Sequence, residues 1–238
     1  MKAKKVSKPI KVMVAVLNQG DINVRLATQL INMIAESMVN KKYIIDLRFS
    51  SVTCVDYNRN TITQMFLESD NKFLLMFDDD NPCLKNPLDL VEKNKDIIIC
   101  PTFTFRAKKD HEPALNYNVY KKEKVGRGIV WRSQRMTPGK PFMQYDAGGT
   151  GCILIKRRVL EKLKAPFLSN LYKDKGVRKY GMDLWFCERA KKAGFQVWAH
   201  WEYACHHYKV TDLLDVATLM LKEKYNVTDK LVKVKEKK

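Results

Sequence analysis

Phe73-Leu74-Leu75-Met76-Phe77-Asp78-Asp79-Asp80-Asn81-Pro82-Cys83 is the stretch on which the reading of this chain turns. Five apolar residues in a row are too few for a membrane span or a typical helix, and they fit a strand covered on both faces. The run stops at three adjacent carboxylates, which repel one another and have no basic neighbour in sequence. In extended backbone, residues two apart share a face, so Asp78 and Asp80 are expected to look into one site and Asp79 elsewhere. Paired carboxylates at the end of a buried strand suit a hard divalent cation, manganese or magnesium. A solvated acidic turn is the plainer explanation, because Asp is common in turns. The buried run in front of it favours a site.

Outward from that strand, apolar runs and helical periods alternate. Lys11–Leu17 reads as a strand ending at the turn cluster Asn18-Gln19-Gly20-Asp21. A helix capped by Asn23 follows, with Ala27, Leu30, Ile31, Ile34, Ala35 and Met38 at helical spacing. Tyr43–Phe49 reads as a strand, Arg59–Ser69 as a helix, and the segment after Pro87 as a short helix before the strand Ile97–Ile99. Residues 102–145 lack a clear period and predict hairpins or long loops. Order returns with a strand over Cys152–Ile155, helices over Val159–Leu163 and Asp183–Ala193, a strand over Phe195–Ala199, and a helix capped by Thr211. Such alternation predicts a single α/β, Rossmann-like domain: a mostly parallel central sheet flanked by helices, with an irregular region in its second half. The expected organisation is a basic tail over 1–10, the domain over 11–225 and a second basic tail over 226–238. Ligands of such sheets bind beyond the carboxyl ends of the strands.

The 238 residues carry 44 Lys and Arg against 26 Asp and Glu, a net charge of +18 that favours anionic partners. Six cysteines occur, and none stands in a Cys-x-x-Cys pair, so a structural zinc site is not expected. Several lie in apolar runs, which fits reduced core thiols and a cytoplasmic location. The start lacks the apolar region of a signal peptide, and no apolar stretch reaches membrane-spanning length.

Four segments together resemble the GT-A glycosyltransferases, especially those similar to family 2. FLLMFDDDNPCLKNPL resembles their D-x-D segment, and the Arg59-Asn60 of DYNRN is similar to the Arg-Asn of the preceding helix. GGTGCILIKRRVLEKL (Gly148–Leu163) resembles the Gly-rich turn, strand and helix, and GMDLWFCERAKKAGFQVWAH (Gly181–His200) the Gly-Glu-Asp helix. CHHYK resembles the closing Cys-Gly-His, so the likeness runs over 11–214.

The resemblance implies a GT-A fold, a nucleotide-diphosphate-sugar donor and a divalent metal, manganese or magnesium. Asp80 and His207 would ligate the metal, and Asp78 would contact the donor ribose or reach the metal through water. Because His206 stands where the family has Gly, the choice between the two imidazoles stays open. Leu17 and Asn18 would meet the nucleobase, Arg59 a donor phosphate, and Asp79, Gly149 and Gly151 would belong to the donor site. Asp183 would be the general base of an inverting transfer, although an Asp at a helix start also serves as a cap. Met182 replaces the family's Glu, which leaves the acceptor side less defined. Trp131 and Tyr145 fall in the acceptor region, where packing explains them equally well.

Other readings carry different signatures. A nucleic-acid-binding protein would fit the basic charge, but no zinc-finger spacing, RNA-binding aromatic motif or helix-turn-helix is present. A transferase acting on an anionic glycan, a lipid or modified nucleic acid joins the two ideas. A nucleotidyltransferase would need a Gly-rich loop and a basic residue after the first strand, where this chain has LNQGD. A non-catalytic nucleotide-sugar binder is the remaining reading.

Overall fold

The computed structural model describes residues 8–18, 20–51, 54–108, 111–126, 128–164, 166–167, 181–209, 216–217 and 220. In chain order the elements are β1 (Ile10–Leu17), α1 (Val24–Asn40), β2 (Tyr43–Ser50), α2 (Val55–Glu68), β3 (Phe73–Asp78), a 3-10 turn (Pro87–Lys93) and β4 (Ile97–Ile99). Then come β5 (Phe103–Lys108), β6 (His111–Tyr117), β7 (Val119–Val125), β8 (Gly128–Ser133), β9 (Phe142–Tyr145) and β10 (Ala147–Gly148). The chain closes with β11 (Cys152–Lys156), α3 (Arg157–Lys162), α4 (Met182–Lys192), β12 (Val197–His200) and a 3-10 turn at Trp201–Tyr203.

Seven strands form the central sheet in the order β2-β1-β3-β11-β4-β12-β9. β2, β1, β3, β4 and β12 run one way; β11 and β9 run against them. The mostly parallel Rossmann-like sheet is therefore as expected. Each inner strand is apolar on both faces because helices cover both. In β1, Val12, Val14 and Val16 join Leu26, Leu30 and Met33 of α1 in one core layer. Met13, Ala15 and Leu17 join Ile62 and Phe66 of α2 and Phe186 of α4 in the other.

The chain leaves β1 through α1 to β2 on one side, then crosses back through α2 to β3 on the other side of β1. That reversal opens a crevice at the carboxyl ends of β1 and β3, the place where such sheets bind ligands.

Several sequence expectations need correction. Asn23 does cap α1, its side chain accepting from the Arg25 amide at 2.9 Å. The buried stripe, however, is Leu26, Leu30, Met33 and Ser37, while Ile31 and Met38 are 66% and 73% exposed. Helix α2 starts at Val55, one turn before Arg59. The irregular region folds into the antiparallel pairs β5–β6 and β7–β8, and its β9 adds an edge to the central sheet. Tyr145 is buried, its hydroxyl accepting from the Trp201 indole at 2.9 Å, and Trp131 packs on the core, so both are packing residues. Thr211 and the terminal segments 1–7 and 221–238 lie outside the described residues, and no described helix is long and apolar enough to cross a membrane.

His200, at the end of β12, stacks on Phe142 with ring centroids 5.0 Å apart, and its Nδ1 has no hydrogen-bond partner among the described residues. Burial, reinforced by the Lys93 charge, pushes its imidazole below the ordinary value of 6.5. The fold thus favours neutral His200, and the associated stability is intact above that value and lost as pH falls below it. Stepped-pH thermal denaturation should show the melting temperature of wild type falling below this point more steeply than that of His200→Phe.

Candidate active site at the carboxyl end of β3

Leu17 and Asp78 are register partners at the ends of β1 and β3. The Asp79 amide donates to the Leu17 carbonyl at 3.1 Å, and the Asn23 amide donates to the Asp79 carbonyl at 3.1 Å. The acidic run is thereby tied to β1 and to the start of α1. A cleft of about 200 Å³ opens there, lined by Leu17, Asn18, Val55, Asn58, Asp78, Asp79, Asp80 and Lys209. The buried side-chain oxygens of Asn18 and Asn58 have no hydrogen-bond partner in its walls.

The strand alternation expected across the three carboxylates does not hold. Extended backbone ends at Asp78, because the Asn81 amide donates to the Asp78 carbonyl at 3.1 Å and closes a turn. Asp78 consequently faces α2 while Asp80 turns toward the segment after β12, and Asp79 lines the same cleft.

Arg59 is neither a surface ion pair nor free to meet a donor phosphate. It is 1% exposed, its Nη2 donating to Asp78 Oδ1 at 2.7 Å and its Nη1 to the Thr150 carbonyl at 3.1 Å. Its guanidinium carbon lies 6.0 Å from the ring centre of Phe167, which stacks on Phe186 of α4 at 4.6 Å. Thr150 Oγ1 in turn donates to Asp183 Oδ1 at 2.5 Å. One chain of contacts, Asp78–Arg59–Thr150–Asp183, joins β3, α2, the Gly-rich turn and α4. Burial pushes the Asp78 carboxyl up, Arg59 pulls it down, and the Asp183 and Asp80 charges raise it further, leaving it above its ordinary value. The four groups therefore share one electrostatic site, although Asp183 lies beyond the lining of the cleft.

Asp183 does not cap α4: Gly181 holds the cap position without a side-chain bond, and the Asp183 carboxylate in the first helical turn accepts from Thr150 instead. Gly151 and Gly149 are required by close packing. A Cβ at 151 would sit 2.0 Å from Asn81 Oδ1, and one at 149 would sit 2.1 Å from Asn118 Nδ2. Gly149 thus faces Asn118, and Gly151 sits against the acidic turn, its carbonyl accepting from the Asp78 amide at 2.7 Å.

His207 comes to Asp80, with Nε2 3.6 Å from Asp80 Oδ2, whereas the exposed His206 stacks on Tyr208. His207 Nδ1 lies 2.7 Å from the Phe103 carbonyl, which can only accept, so Nδ1 carries a proton. In the neutral ring Nε2 then turns a lone pair toward a carboxylate. That arrangement suits a cation between them, since an ion about 2.1 Å from each atom spans such a gap. Lys209 Nζ, 2.6 Å from the same Asp80 oxygen on a 62% exposed side chain, supplies positive charge there now. Thr150, Asn118, Asn81 and Lys209 were not singled out from sequence; the first three carry no signal beyond proximity to glycines and acids, and Lys209 is one of many lysines.

No protein-family model and no curated protein matches the chain. Among solved structures it is similar to A197 from STIV, with 20% identity, a TM-score of 0.53, and 84% of this chain and 87% of that chain covered. At that identity the likeness shows a shared fold. Weaker likenesses are to GalNAc-T7 crystallised with UDP, GalNAc and Mn2+ (13% identity, TM-score 0.47, 84% of this chain and 43% of that one). HddC from Yersinia pseudotuberculosis follows, at 10% identity and a TM-score of 0.41, covering 89% of this chain and 99% of that chain.

The Arg59–Asp78 pair sets a stability test. Arg59→Met leaves Asp78 beside other carboxylates and should lower unfolding free energy by about 1–3 kcal/mol, less than for a fully buried pair because Asp78 is a third exposed to the cleft. Adding Asp78→Asn should recover part of that loss in urea denaturation, giving a nonzero coupling energy.

Proposed function

We propose that this protein is a divalent-metal-dependent glycosyltransferase of GT-A type, moving a sugar from a nucleotide-diphosphate donor to an acceptor hydroxyl. The observation that carries the reading is the cleft at the β1–β3 switch point. Its two nonadjacent inputs, Leu17-Asn18 and the Asp78–Asp80 run, meet His207 on one side and the Asp183 network on the other.

Asp80 and His207 would hold the ion, manganese or magnesium, with Asp78 beside them; when bound it would offset charge on the leaving diphosphate. Leu17 and Asn18 would border the nucleobase, and the unpartnered Asn18 and Asn58 oxygens would accept from donor hydroxyls or amines. Arg59 is assigned a positioning role, holding Asp78 and the Thr150 turn. Asp183 would accept the acceptor hydroxyl proton as that oxygen bonds the anomeric carbon and the bond to the diphosphate oxygen breaks, giving inversion. Thr150 holds one Asp183 oxygen, and the other would work as base.

The acceptor is assigned to a second cleft of about 410 Å³, lined by Phe103, Tyr117, Arg135 and Met136 among others. Phe103 ties this second cleft to the Asp80 side of the first, since its carbonyl holds His207 beside Asp80. Arg135 and the net charge of +18 favour an anionic acceptor: a glycan, a lipid or modified nucleic acid. Reduced core cysteines fit a cytoplasmic setting.

A donor screen in manganese, reading released nucleoside diphosphate, tests the reading. Wild type is expected to turn over at least one donor. Asp80→Asn should abolish the metal-dependent rate, and Asp183→Asn should lower transfer by about 10²-fold or more. Full transfer by Asp183→Asn to a genuine acceptor would remove the base assignment.

A further inference from the structure

Four cysteines far apart in sequence meet in the core layer on the α1 side of the sheet. Cys83 follows the acidic turn, Cys100 follows β4, Cys152 opens β11 and Cys205 lies beyond the last 3-10 turn. All four are buried, and their Sγ atoms lie within 4.8 Å of one another. Cys83 Sγ is 2.9 Å from Cys205 Sγ and 3.3 Å from Cys152 Sγ. We propose that these four side chains form a tetrathiolate site for one thiophilic divalent ion, zinc or ferrous iron, separate from the oxygen- and nitrogen-lined site at Asp80.

The backbone has already assembled the set. Cys83 and Cys205 are antiparallel bridge partners, and the Leu84 amide donates to the Ala204 carbonyl at 2.9 Å. The Cys100 amide donates to the Cys152 carbonyl at 3.0 Å, and the Cys205 amide to the Pro101 carbonyl at 2.8 Å. Two cross-strand pairs therefore face one centre, with no chain rearrangement needed. A tetrahedral ion with metal–sulfur bonds of about 2.3 Å needs sulfurs about 3.8 Å apart. The observed separations bracket that value, so small side-chain rotations suffice. Sulfur donors alone, four in number and sealed from water, select a soft metal over manganese or magnesium.

Ordinary core cysteines would be scattered among apolar neighbours. Of the other two cysteines, Cys187 shows that pattern, buried in α4 with its thiol 3.8 Å from the Gly148 carbonyl, and Cys54 is exposed. Binding of a cation by the four thiols would displace their protons to solvent. The absence of any Cys-x-x-Cys pair had argued against a zinc site; the fold supplies by topology what local spacing does not.

The location gives the ion a structural task. Cys83 is three residues after Asp80, Cys205 two before His207, and Cys152 directly after Gly151. One ion would fasten, from behind, the segments that carry the two sides of the cleft.

The test uses the full chain without a polyhistidine tag, purified under reducing conditions. Elemental analysis should find about one zinc or iron per chain, and X-ray absorption at that metal's edge should give four sulfurs at about 2.3 Å. Titration with a mercurial should release the metal stoichiometrically. Cys54→Ser and Cys187→Ser should retain it, and Cys205→Ser should lose it or show a sulfur-depleted shell. Because Cys205→Ser can fail to fold, the wild-type absorption spectrum decides by itself. A metal-free chain that takes up no zinc against a chromophoric chelator would overturn the proposal. So would a shell of nitrogen and oxygen, or an intact mass lighter by four hydrogens, which marks two disulfides. None of these results bears on turnover at Asp80 and Asp183, so the two proposals fail separately.

Discussion

One buried guanidinium governs the architecture of this site. Arg59 sits almost without solvent between the end of β3 and the Gly-rich turn, with a carboxylate on one nitrogen and a backbone carbonyl on another. Without it, Asp78 would be a half-buried, unpaired carboxylate beside two more, Asp80 and Asp183, whose charges already press its titration upward. Removing one member of such a pair is far more disruptive than the pair is stabilising, so Arg59 constrains every element it touches. Helix α2 must begin early enough to present it, β3 must end where its partner emerges, and Thr150 must keep its carbonyl turned inward.

The same constraint explains how an incompletely neutralised acidic site persists. Arg59 compensates Asp78, Thr150 donates to Asp183, and Lys209 together with His207 stands over Asp80. The last arrangement differs from the others in kind. Arg59 and Thr150 are buried and fixed, whereas Lys209 is a long, exposed side chain that can leave. A divalent ion replacing Lys209 would bring more charge to the same oxygen and would meet the His207 lone pair that now faces a carboxylate. The buried interactions thus hold the frame, while Lys209, an exposed cation, sits beside the proposed ion site.

Legibility in the sequence followed how local each determinant is. β1, β3 and β4 were readable because strands covered on both faces are unbroken apolar runs. The phase of α1 was not, because Ser37 completes the buried stripe and interrupts its apolar signal, while Ile31 and Met38 supply a false one on the exposed side. Residues 102–145 predict hairpins or long loops, and the hairpins β5–β6 and β7–β8 are what forms. Their strand limits and pairing were not legible, because strands such as β7, with KKEK at 121–124, carry no apolar alternation. Within the site, Leu17, Asn18 and the three Asp residues come together as their places at strand ends imply. The position of Arg59 follows from its spacing in α2, while its burial depends on Phe167 and Thr150, roughly a hundred residues away. Gathering of the four cysteines is the extreme case, since no local pattern announces a cluster built from four separate segments.

The account rests on Asp80 and His207 as a pair that takes a divalent ion in the presence of a nucleoside diphosphate. Electron paramagnetic resonance of free Mn2+, titrated with protein and nucleoside diphosphate, measures this directly. Wild type should remove about one manganese per chain from the free signal, and both Asp80→Asn and His207→Ala should weaken that uptake severely while remaining folded by circular dichroism. Undiminished manganese uptake by both folded variants would contradict the central claim.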